Sequence, residues 1–301
     1  MEHGFIAWAK QRATRLPKIK LGIGDDCAII ESDGSDWVVT TDSLCEGTHF
    51  ILAECGPQAV GKKLLGVNLS DLASMAARPV AVFLSLCLPR NSAEHIGAEI
   101  YEGVCKACQQ YHVAIGGGDT NVWDGPLVVH LTAIGTAPKE GTWLRSGARP
   151  GDKIVVTGKL GGSLLGKHLD FEPRLRVAQT LHPLGIVQAA TDISDGLGVD
   201  LLNITVASRC GAEVDLDKIP ISDAAIHRAM TSGQTALEHA IGDGEDFELL
   251  LAVDPSKIDQ MPASIDGVPL TVIGTFVSRT GLWSRSKGGV MQMQARGYVH
   301  G

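Results

Sequence analysis

The stretch KEGTWLRSGARPGD, residues Lys139–Asp152, decides the fold that we predict, because it divides the chain into two parts. Its glycines, proline and charged residues interrupt the apolar patterns on both sides, as loops between domains do. Runs typical of strands alternate with helical patterns before and after it. We therefore predict a mixed α+β (α/β-like) protein with two domains, residues 1–138 and 139–301.

The part before this stretch carries apolar runs typical of strands and two helical patterns. Apolar residues recur every three to four positions in both helical patterns, which predicts amphipathic helices. The predicted strands are Trp37–Thr41, Val80–Leu88, Val113–Ile115 and Leu127–Ile134, and the predicted helices are Ala59–Ala77 and Glu94–His112.

The part after it repeats the alternation, which predicts a sheet covered by helices. The predicted strands are Lys153–Thr157, Glu213–Leu216, Phe247–Val253 and Leu270–Val277, and the predicted helices are Ser163–Leu169, Arg174–Ala190 and Leu197–Ser208.

Composition places the chain among globular proteins and narrows its partners. The 301 residues are 44% hydrophobic and 20% charged, and 26 Lys and Arg against 34 Asp and Glu give a net charge of -8. A general affinity for nucleic acid or anionic lipid is not expected at this charge. No apolar run approaches the roughly 18 residues of a membrane-spanning helix. The seven scattered cysteines, and a short amphipathic N-terminal helix over Met1–Arg15 in place of a signal peptide, predict a cytoplasmic protein.

Acidic residues cluster at five places, each directly after an apolar run, and one more lies on a predicted helix. The five places are Asp25-Asp26, Asp42, Asp119, Asp192 with Asp195, and Asp243 with Glu245 and Asp246; the helical residue is Asp71. Any one of them has an ordinary explanation as a turn residue or a helix cap. Carboxylates that converge, however, repel one another unless a cation lies between them. Oxygen ligands alone, with hydroxyls from Thr40, Thr41 and Ser194 nearby, favour Mg²⁺.

Glycine-rich segments suit a phosphate-bearing partner, because backbone N–H groups can approach an anion closely there. Gly116–Gly118 precede Asp119, and Gly161–Ser163 precede a predicted helix. Gly161–Lys167 even matches the spacing of a P-loop, but His168 replaces the metal-binding Ser or Thr, so we disfavour that interpretation. The residues alone thus predict an enzyme of phosphoryl or nucleotidyl transfer that uses Mg²⁺ and a nucleotide without a P-loop.

Read in order, these segments resemble the thiamine-monophosphate kinase family. Its superfamily also contains aminoimidazole ribonucleotide synthetase, selenophosphate synthetase and a hydrogenase-maturation protein. The motifs that carry the resemblance are GIGDD (Gly22–Asp26), TTDSLCEGTHF (Thr40–Phe50), VNLSDLASM (Val67–Met75), GGDT (Gly117–Thr120), RSGARPGD (Arg145–Asp152), DISDGL (Asp192–Leu197) and GEDFEL (Gly244–Leu249).

The resemblance implies phosphorylation of thiamine monophosphate to thiamine diphosphate by ATP, through direct in-line transfer assisted by several Mg²⁺ ions. It implies a homodimer whose N-terminal sheets form a barrel, with a helix-covered C-terminal sheet beside it. By motif, the implied Mg²⁺ ligands are Asp26, Thr40, Thr41, Asp42, Asp71, Asp119, Asp192 and Asp195. The implied ATP contacts are Gly118, Asp119, Arg145 and Ser194, and the implied contacts with thiamine phosphate are His49, Glu245 and Tyr298. No residue is assigned as a general base, because the attacking phosphate oxygen is already largely deprotonated at pH 7.

Two alternatives stay open at this point. One is another ATP-dependent synthetase of the superfamily, similar to selenophosphate synthetase, although the early segment offers neither the reactive Cys nor the Lys of that enzyme. The other is a non-catalytic nucleotide-binding scaffold. The presence of every acidic motif argues against a scaffold, because a degenerate site usually loses some of its ligands. The number of Mg²⁺ ions is also left open.

Overall fold

A computed structural model describes residues 2–13, 17–286 and 288–298 of the chain. The predicted N-terminal helix is present as α1 (Glu2–Arg12), while Met1 and residues 14–15 of that prediction lie outside the described residues. None of the described helices is both long enough and apolar enough to cross a membrane. The elements that follow α1 in the first part of the chain are β1 (Ile19–Leu21), β2 (Ala28–Ile30), β3 (Trp37–Cys45), α2 (Leu52–Cys55), α3 (Pro57–Ser74), β4 (Arg78–Pro89), α4 (Ala93–Tyr111), β5 (Ala114–Trp123) and β6 (Val128–Thr136).

The first sheet has the strand order β1-β2-β3-β6-β4-β5 and is antiparallel except for the β4–β5 pair. Side chains alternate between its faces, so β3 buries Val38, Thr40 and Leu44 and exposes Trp37 and Thr41. Helices α3 and α4 pack on the buried face. Within the described part of one chain this sheet is open, with β1 and β5 at its edges.

Helix α3 is the structural centre of the molecule. It is buried on nearly every side, and it contacts α4, strands of the first sheet, and α5 and β8 from the second part of the chain. Its close approach to α4 depends on two glycines, because a Cβ on Gly61 would lie 2.2 Å from the Ile100 carbonyl oxygen and a Cβ on Gly103 would lie 2.2 Å from the Gln58 carbonyl oxygen. The two helices therefore cross backbone against backbone.

The second part of the chain forms the second sheet, whose strand order is β14-β13-β9-β12-β7-β10-β8, with β11 paired to β12. Its elements are β7 (Lys153–Thr157), α5 (Leu175–Leu181), β8 (Val187–Asp192), α6 (Leu197–Ser208), β9 (Gly211–Asp215), α7 (Asp223–Ser232), α8 (Ala236–Gly242), β10 (Leu249–Val253), β11 (Ser264–Ile265), β12 (Val268–Val277), β13 (Gly281–Ser286) and β14 (Gly289–Met293). The predicted mixed α+β architecture with two sheets is therefore confirmed.

One hydrophobic core joins the two parts. It includes Leu64 and Leu72 of α3 together with Phe171, Val177 and Phe247 of the second part. A second core lies within the second part, between α6 and the second sheet. The two sheets are therefore held against one another through α3.

Two predicted elements are wrong in ways that affect the site. The predicted helix Arg174–Ala190 ends at Leu181, because a 3-10 turn over His182–Leu184 and then Gly185, at a φ of 60°, stop it; the chain continues as strand β8. The predicted helix Ser163–Leu169 consists of two short 3-10 turns separated by Gly166. Strand β8, which the sequence did not indicate, carries Asp192.

Candidate active site

Three carboxylates from distant parts of the sequence meet where the two sheets approach each other. Oxygen atoms of Asp26, Asp71 and Asp192 all lie within 4.8 Å of one another. Asp26 lies in the loop before β2, Asp71 lies on α3, and Asp192 ends β8. Negative groups this close are held together only at a cost in electrostatic repulsion, which a divalent cation would remove.

Burial raises the affinity of this cluster for protons. The pKa of Asp192 is raised to about 7, first by burial and then by the charge of Asp26. The pKa of Asp71 is raised well above its ordinary value by burial and by the charges of Asp42, Asp192 and Asp26. Both shifts come first from burial and then from the neighbouring carboxylates. A cation binding among them would lower both pKa values.

Hydroxyl groups fix the orientation of the clustered carboxylates. Ser70 donates from Oγ to Oδ2 of Asp192 at 2.6 Å, and Ser74 donates from Oγ to Oδ2 of Asp26 at 2.8 Å. Both serines lie on α3, four residues apart and therefore on one face of the helix, and Asp71 lies three residues before Ser74. The central helix therefore both contributes one carboxylate and holds the other two.

Arg145 is a cation in direct contact with the cluster. Its Nε donates to Oδ1 of Asp26 at 2.9 Å, and Thr191 donates from Oγ1 to the same oxygen at 3.0 Å. The backbone N–H of Arg145 donates to both oxygens of Asp25, at 3.2 and 3.3 Å. Asp25 thus positions the segment that carries Arg145, and burial followed by the charge of Asp26 raises the pKa of Asp25 to about 6.

Strand alternation separates the three predicted ligands of β3. Thr40 donates from Oγ1 to Oδ2 of Asp71, and Asp42 also interacts with Asp71. Burial raises the pKa of Asp42. The hydroxyl of Thr41 lies on the opposite face of the sheet, 2.9 Å from Nε2 of His130. In the single chain, therefore, Thr40 and Asp42 face the cluster and the Thr41 side chain does not.

A cavity of about 510 Å³ opens beside the cluster and joins most of the other predicted site residues. Its lining combines carboxylates with other polar and apolar side chains from both parts of the chain. The predicted site residues that line it are Asp42, His49, Ser194, Asp195, Glu245 and Tyr298. A second cavity of about 460 Å³ shares Thr48, His49 and Leu164 with it.

The loop after β8 is organised by a residue that the sequence analysis missed. Asp200, on α6 and nearly completely buried, accepts the backbone N–H groups of Asp195 and Gly196 at 3.1 Å each. Two carbonyl oxygens of this loop in turn accept hydrogen bonds: the backbone N–H of Glu245 donates to that of Ser194, and the backbone N–H of Tyr298 donates to that of Asp195. An acidic residue in the first turn of a predicted helix is the signal that would have indicated Asp200.

Lys63 is a second residue that the sequence analysis missed. Its side chain on α3 is completely buried, and Nζ donates to Oε1 of Glu245 and to the carbonyl oxygen of His49, at 2.7 Å each. Nδ1 of His49 accepts the backbone N–H of Cys45 at 3.0 Å, so the ring proton of the neutral imidazole lies on Nε2. The available signal was that Lys63, next to Lys62, directly precedes the apolar pair Leu64-Leu65.

Gly118 and Asp119 are not brought to the cluster within one chain. They lie in edge strand β5, and Asn121 donates to Oδ2 of Asp119 at 2.8 Å. Across the first sheet, Asp119 of β5 lies opposite Ser85 of β4, which lies opposite His130 of β6, and His130 lies opposite Ser43 of β3. Three strand spacings, roughly 14 Å, therefore separate Asp119 from Ser43.

The glycine segments serve intramolecular contacts. Gly116–Gly118 lie within edge strand β5, where a Cβ on Gly118 would lie 2.0 Å from the Leu84 carbonyl oxygen. The N–H groups of Gly161 and Gly162 donate to Asp246 and Asp243, the chain's own carboxylates.

The P-loop interpretation, which the sequence disfavoured, is excluded by these same contacts. The N–H groups that would cradle a phosphate already have carboxylate partners. In addition, Lys167 donates from Nζ to Oε1 of Glu248 at 2.8 Å.

Family models of AIR synthase related proteins match both parts of the chain. The model of the N-terminal domain matches residues 24–137, and the model of the C-terminal domain matches residues 149–283. These matches fall on either side of the stretch Lys139–Asp152, with only its last residues inside the second match.

Proteins of one activity are similar to the chain over nearly its full length. Thiamine-monophosphate kinase of Rhodopirellula baltica is 44% identical, covering 100% of this chain and 98% of its own. The solved structure of AaThiL complexed with AMPPCP and TMP has a TM-score of 0.82 at 27% identity, covering 98% of this chain and 96% of that one. The crystal structure of thiamine-monophosphate kinase from Stenotrophomonas maltophilia K279a has a TM-score of 0.74 at 32% identity, covering 93% and 94%.

Proposed function

The chain belongs to the thiamine-monophosphate kinase family, and from this membership we propose that it is an enzyme that phosphorylates thiamine monophosphate with ATP. One observation carries the proposal: the cavity that holds His49, Glu245 and Tyr298 also reaches Asp42, whose carboxylate interacts with Asp71 of the cluster. A cavity that borders a metal-binding cluster and also contains groups suited to an organic ligand fits an acceptor that bears a phosphate.

The chemistry needs orientation and charge neutralisation more than acid–base catalysis. An oxygen of the acceptor phosphate attacks the γ-phosphorus of ATP, a new P–O bond forms, and the bond between that phosphorus and the β-phosphate oxygen breaks to release ADP. The acceptor phosphate has a second pKa of about 6, so it is largely dianionic at pH 7 and no side chain has to remove a proton. Direct transfer, which the family motifs imply, is the route that we propose.

The carboxylate cluster fits Mg²⁺. Its donors are all oxygens, and burial together with the neighbouring carboxylates raises the pKa values of Asp71 and Asp192. When bound, Mg²⁺ would neutralise and orient the phosphates of donor and acceptor. The residues that we assign to hold it are Asp26, Thr40, Asp42, Asp71, Asp192 and Asp195, with Thr41 and Asp119 retained from the family motifs.

The other end of the cavity suits thiamine monophosphate. Glu245 offers a carboxylate to the positively charged thiazolium, and His49 offers an Nε2–H donor for the phosphate. Tyr298 lines the same cavity and offers a ring face to the organic part of the substrate. We assign Arg145 and Ser194 to ATP, since both lie beside the carboxylates that the phosphates must approach.

A homodimer accounts for the separation of Gly118 and Asp119 from the cluster. The face of the first sheet opposite α3 and α4 leaves Trp37 and Phe83 exposed, at 39% and 41%. We propose that two such sheets pair into a barrel, which would bring β5 of one chain toward the nucleotide of the other.

Phe83→Glu should yield a monomer in sedimentation experiments, whereas Tyr101→Glu, at an exposed aromatic residue on α4, should not. A dimer that survives Phe83→Glu would contradict this arrangement.

We also keep the division into domains at residues 138 and 139 and a cytoplasmic location. The two family-model matches support the division, because they end at 137 and resume at 149. The seven cysteines, none of which forms a disulfide, support a reducing compartment.

The decisive experiment is ADP release by the purified full chain with ATP and Mg²⁺. Release that depends on thiamine monophosphate, with thiamine diphosphate as the second product, is the expected result. If ATP binds but thiamine monophosphate causes no turnover, the proposed acceptor is wrong. Thiamine without a phosphate is the matched control, because it keeps the organic part and lacks the attacking oxygen.

A further inference from the structure

Lys63 is a charged side chain in a place where a charge is costly. It has no solvent exposure, and it lies on α3 among apolar residues such as Leu64 and Val60. A buried ammonium is tolerated only when it is paired and hydrogen-bonded. We therefore expect the two groups that accept hydrogen bonds from Lys63 to have a functional role.

Those two acceptors come from opposite parts of the molecule. Nζ of Lys63 donates to Oε1 of Glu245, in the loop between α8 and β10, and to the carbonyl oxygen of His49, in the loop after β3. The distances are 2.7 Å in both cases. One ammonium thus links the first part of the chain to the second across the cavity wall.

The backbone of Glu245 is in a conformation that needs such support. Its φ is 52°, in the left-handed region that residues other than glycine rarely adopt. Its N–H donates to the Ser194 carbonyl at 2.6 Å, so the side chain and the backbone of Glu245 are both held by other elements. Strained residues persist where the surrounding contacts over-determine them, and they concentrate at functional sites.

Lys63 itself does not line the cavity, whereas both of its acceptor residues do. Lys63 lies eight residues before Asp71 on the same helix, which corresponds to about 12 Å along the axis. The helix that contributes a carboxylate to the metal end of the site therefore holds the acceptor end with a different residue.

We propose that Lys63 is a positioning residue for the acceptor: it holds the Glu245 carboxylate and the His49 loop in one geometry, and so sets the affinity for the cationic acceptor without touching it. The identity of the acceptor as thiamine monophosphate rests on the proposed function; the positioning of the two loops does not. Phosphoryl transfer and ATP binding, at the other end of the site, should depend little on Lys63.

The kinetic test uses Lys63→Met, which keeps the length of the side chain and removes the charge. KM for thiamine monophosphate should rise about tenfold, with kcat and KM for ATP changing less than about threefold. Lys62→Met is the matched control, because Lys62 pairs on the surface with Asp170 and should leave all three constants unchanged. Equal effects of Lys63→Met on kcat, on KM for ATP and on KM for the acceptor would overturn the proposal.

A double-mutant cycle separates positioning from a general loss of packing. In a Glu245→Gln background, Lys63→Met should raise KM for the acceptor by clearly less than about tenfold, since one of the two groups that it orients is already impaired. Independent, multiplying effects would show that Lys63 does not act through Glu245, and would overturn the proposal. The double variant also leaves no unpaired buried charge, so it provides a folded protein if Lys63→Met alone does not fold.

Hydrogen exchange tests the loop linkage without any acceptor. The N–H of Glu245, bonded to Ser194, and that of His49, bonded to Cys45, should exchange at least about tenfold faster in Lys63→Met than in the wild type or Lys62→Met. Unchanged exchange at both amides would overturn the proposal. If the wild type does not use thiamine monophosphate, the proposed function fails while the exchange result still decides whether Lys63 positions the loops.

Discussion

Ser70 donates a 2.6 Å hydrogen bond from Oγ to Oδ2 of Asp192, and this bond joins the central helix to the end of a strand in the second sheet. Both groups are buried, at 1% and 2% exposure. The carboxylate cluster therefore depends on the packing of the two parts of the chain. Elements that are distant in sequence have to dock before Asp192 reaches Asp71 and Asp26.

Replacing Ser70 with Ala should weaken both the fold and metal binding. Burial holds the pKa of Asp192 at about 7, and loss of the Ser70 donor should raise it further, so Mg²⁺ has to displace a more tightly held proton. We expect the free energy of unfolding to fall by about 1–2 kcal/mol. The Mg²⁺ concentration for half-maximal turnover should rise. Denaturant unfolding and an Mg²⁺ titration measure the two effects, and the control is Ser256→Ala, at an exposed serine whose hydroxyl donates to the N-cap residue Asp254.

Replacing Asp71 with Asn should stabilise the metal-free protein and abolish its activity. At alkaline pH, where Asp71 has to ionise beside Asp26 and Asp192, Asn removes one of three crowded negative charges, and it keeps an oxygen to accept the Thr40 hydroxyl. The melting temperature in EDTA should rise above that of the wild type, and the increase that Mg²⁺ gives the wild type should disappear. Turnover should fall at least about 100-fold. A normal Mg²⁺-dependent rise in melting temperature in this variant would show that Asp71 is not part of the metal site.

Replacing Asp200 with Ala should disorder the loop between β8 and α6. The N–H groups of Asp195 and Gly196 lose their shared acceptor, and we expect a cost of about 1–3 kcal/mol in the free energy of unfolding. Because this loop also holds the backbones of Glu245 and Tyr298, KM should rise for both substrates. Asp217→Ala, at an exposed acidic residue, is the control for both measurements. An Asp200 variant with unchanged constants would limit this residue to helix stability.

Asp246 should make the protein less stable as the pH rises from about 4 to about 7. Burial raises the pKa of Asp246 from 3.8 to about 7, so in this range the folded state holds a proton that the unfolded state has released. The stabilisation is complete below the unfolded pKa and is lost as the pH rises through the folded pKa. The Asn side chain of Asp246→Asn does not titrate. The unfolding free energy of this variant minus that of the wild type should therefore increase between about pH 4 and about pH 7 and become constant above about pH 7.

Denaturant unfolding at several pH values measures the Asp246 effect. Asp254→Asn is the matched control with the opposite sign, because hydrogen bonds from Ser256 lower the pKa of Asp254. A difference between Asp246→Asn and the wild type that does not change with pH would show that Asp246 is ionised in the folded protein throughout the range.

The sequence predicted most of the local structure and the chemical type of the site. The boundaries of β7 and α6 agree with the structure, and α4 differs by one residue at each end, because periodic patterns and caps determine such elements locally. The prediction is wrong at β8, where the local apolar pattern indicates the end of a helix. The pairing of β8 with β10, which lies far along the chain and places Leu249 opposite Asp192, decides that this segment is a strand.

The residue types that the site requires were visible in the sequence, because oxygen-bearing side chains in these motifs determine which metal and which reaction are compatible with it. Only the tertiary structure decided which of those residues act together. Strand alternation places the Thr40 side chain at the cluster and that of Thr41 on the other face, and sheet order keeps Asp119 three strands from Ser43. Lys63 and Asp200 were found in the same way. The physical reason is that a side chain's partners depend on how separate elements dock, and docking is determined by burial of the whole core rather than by neighbours in sequence.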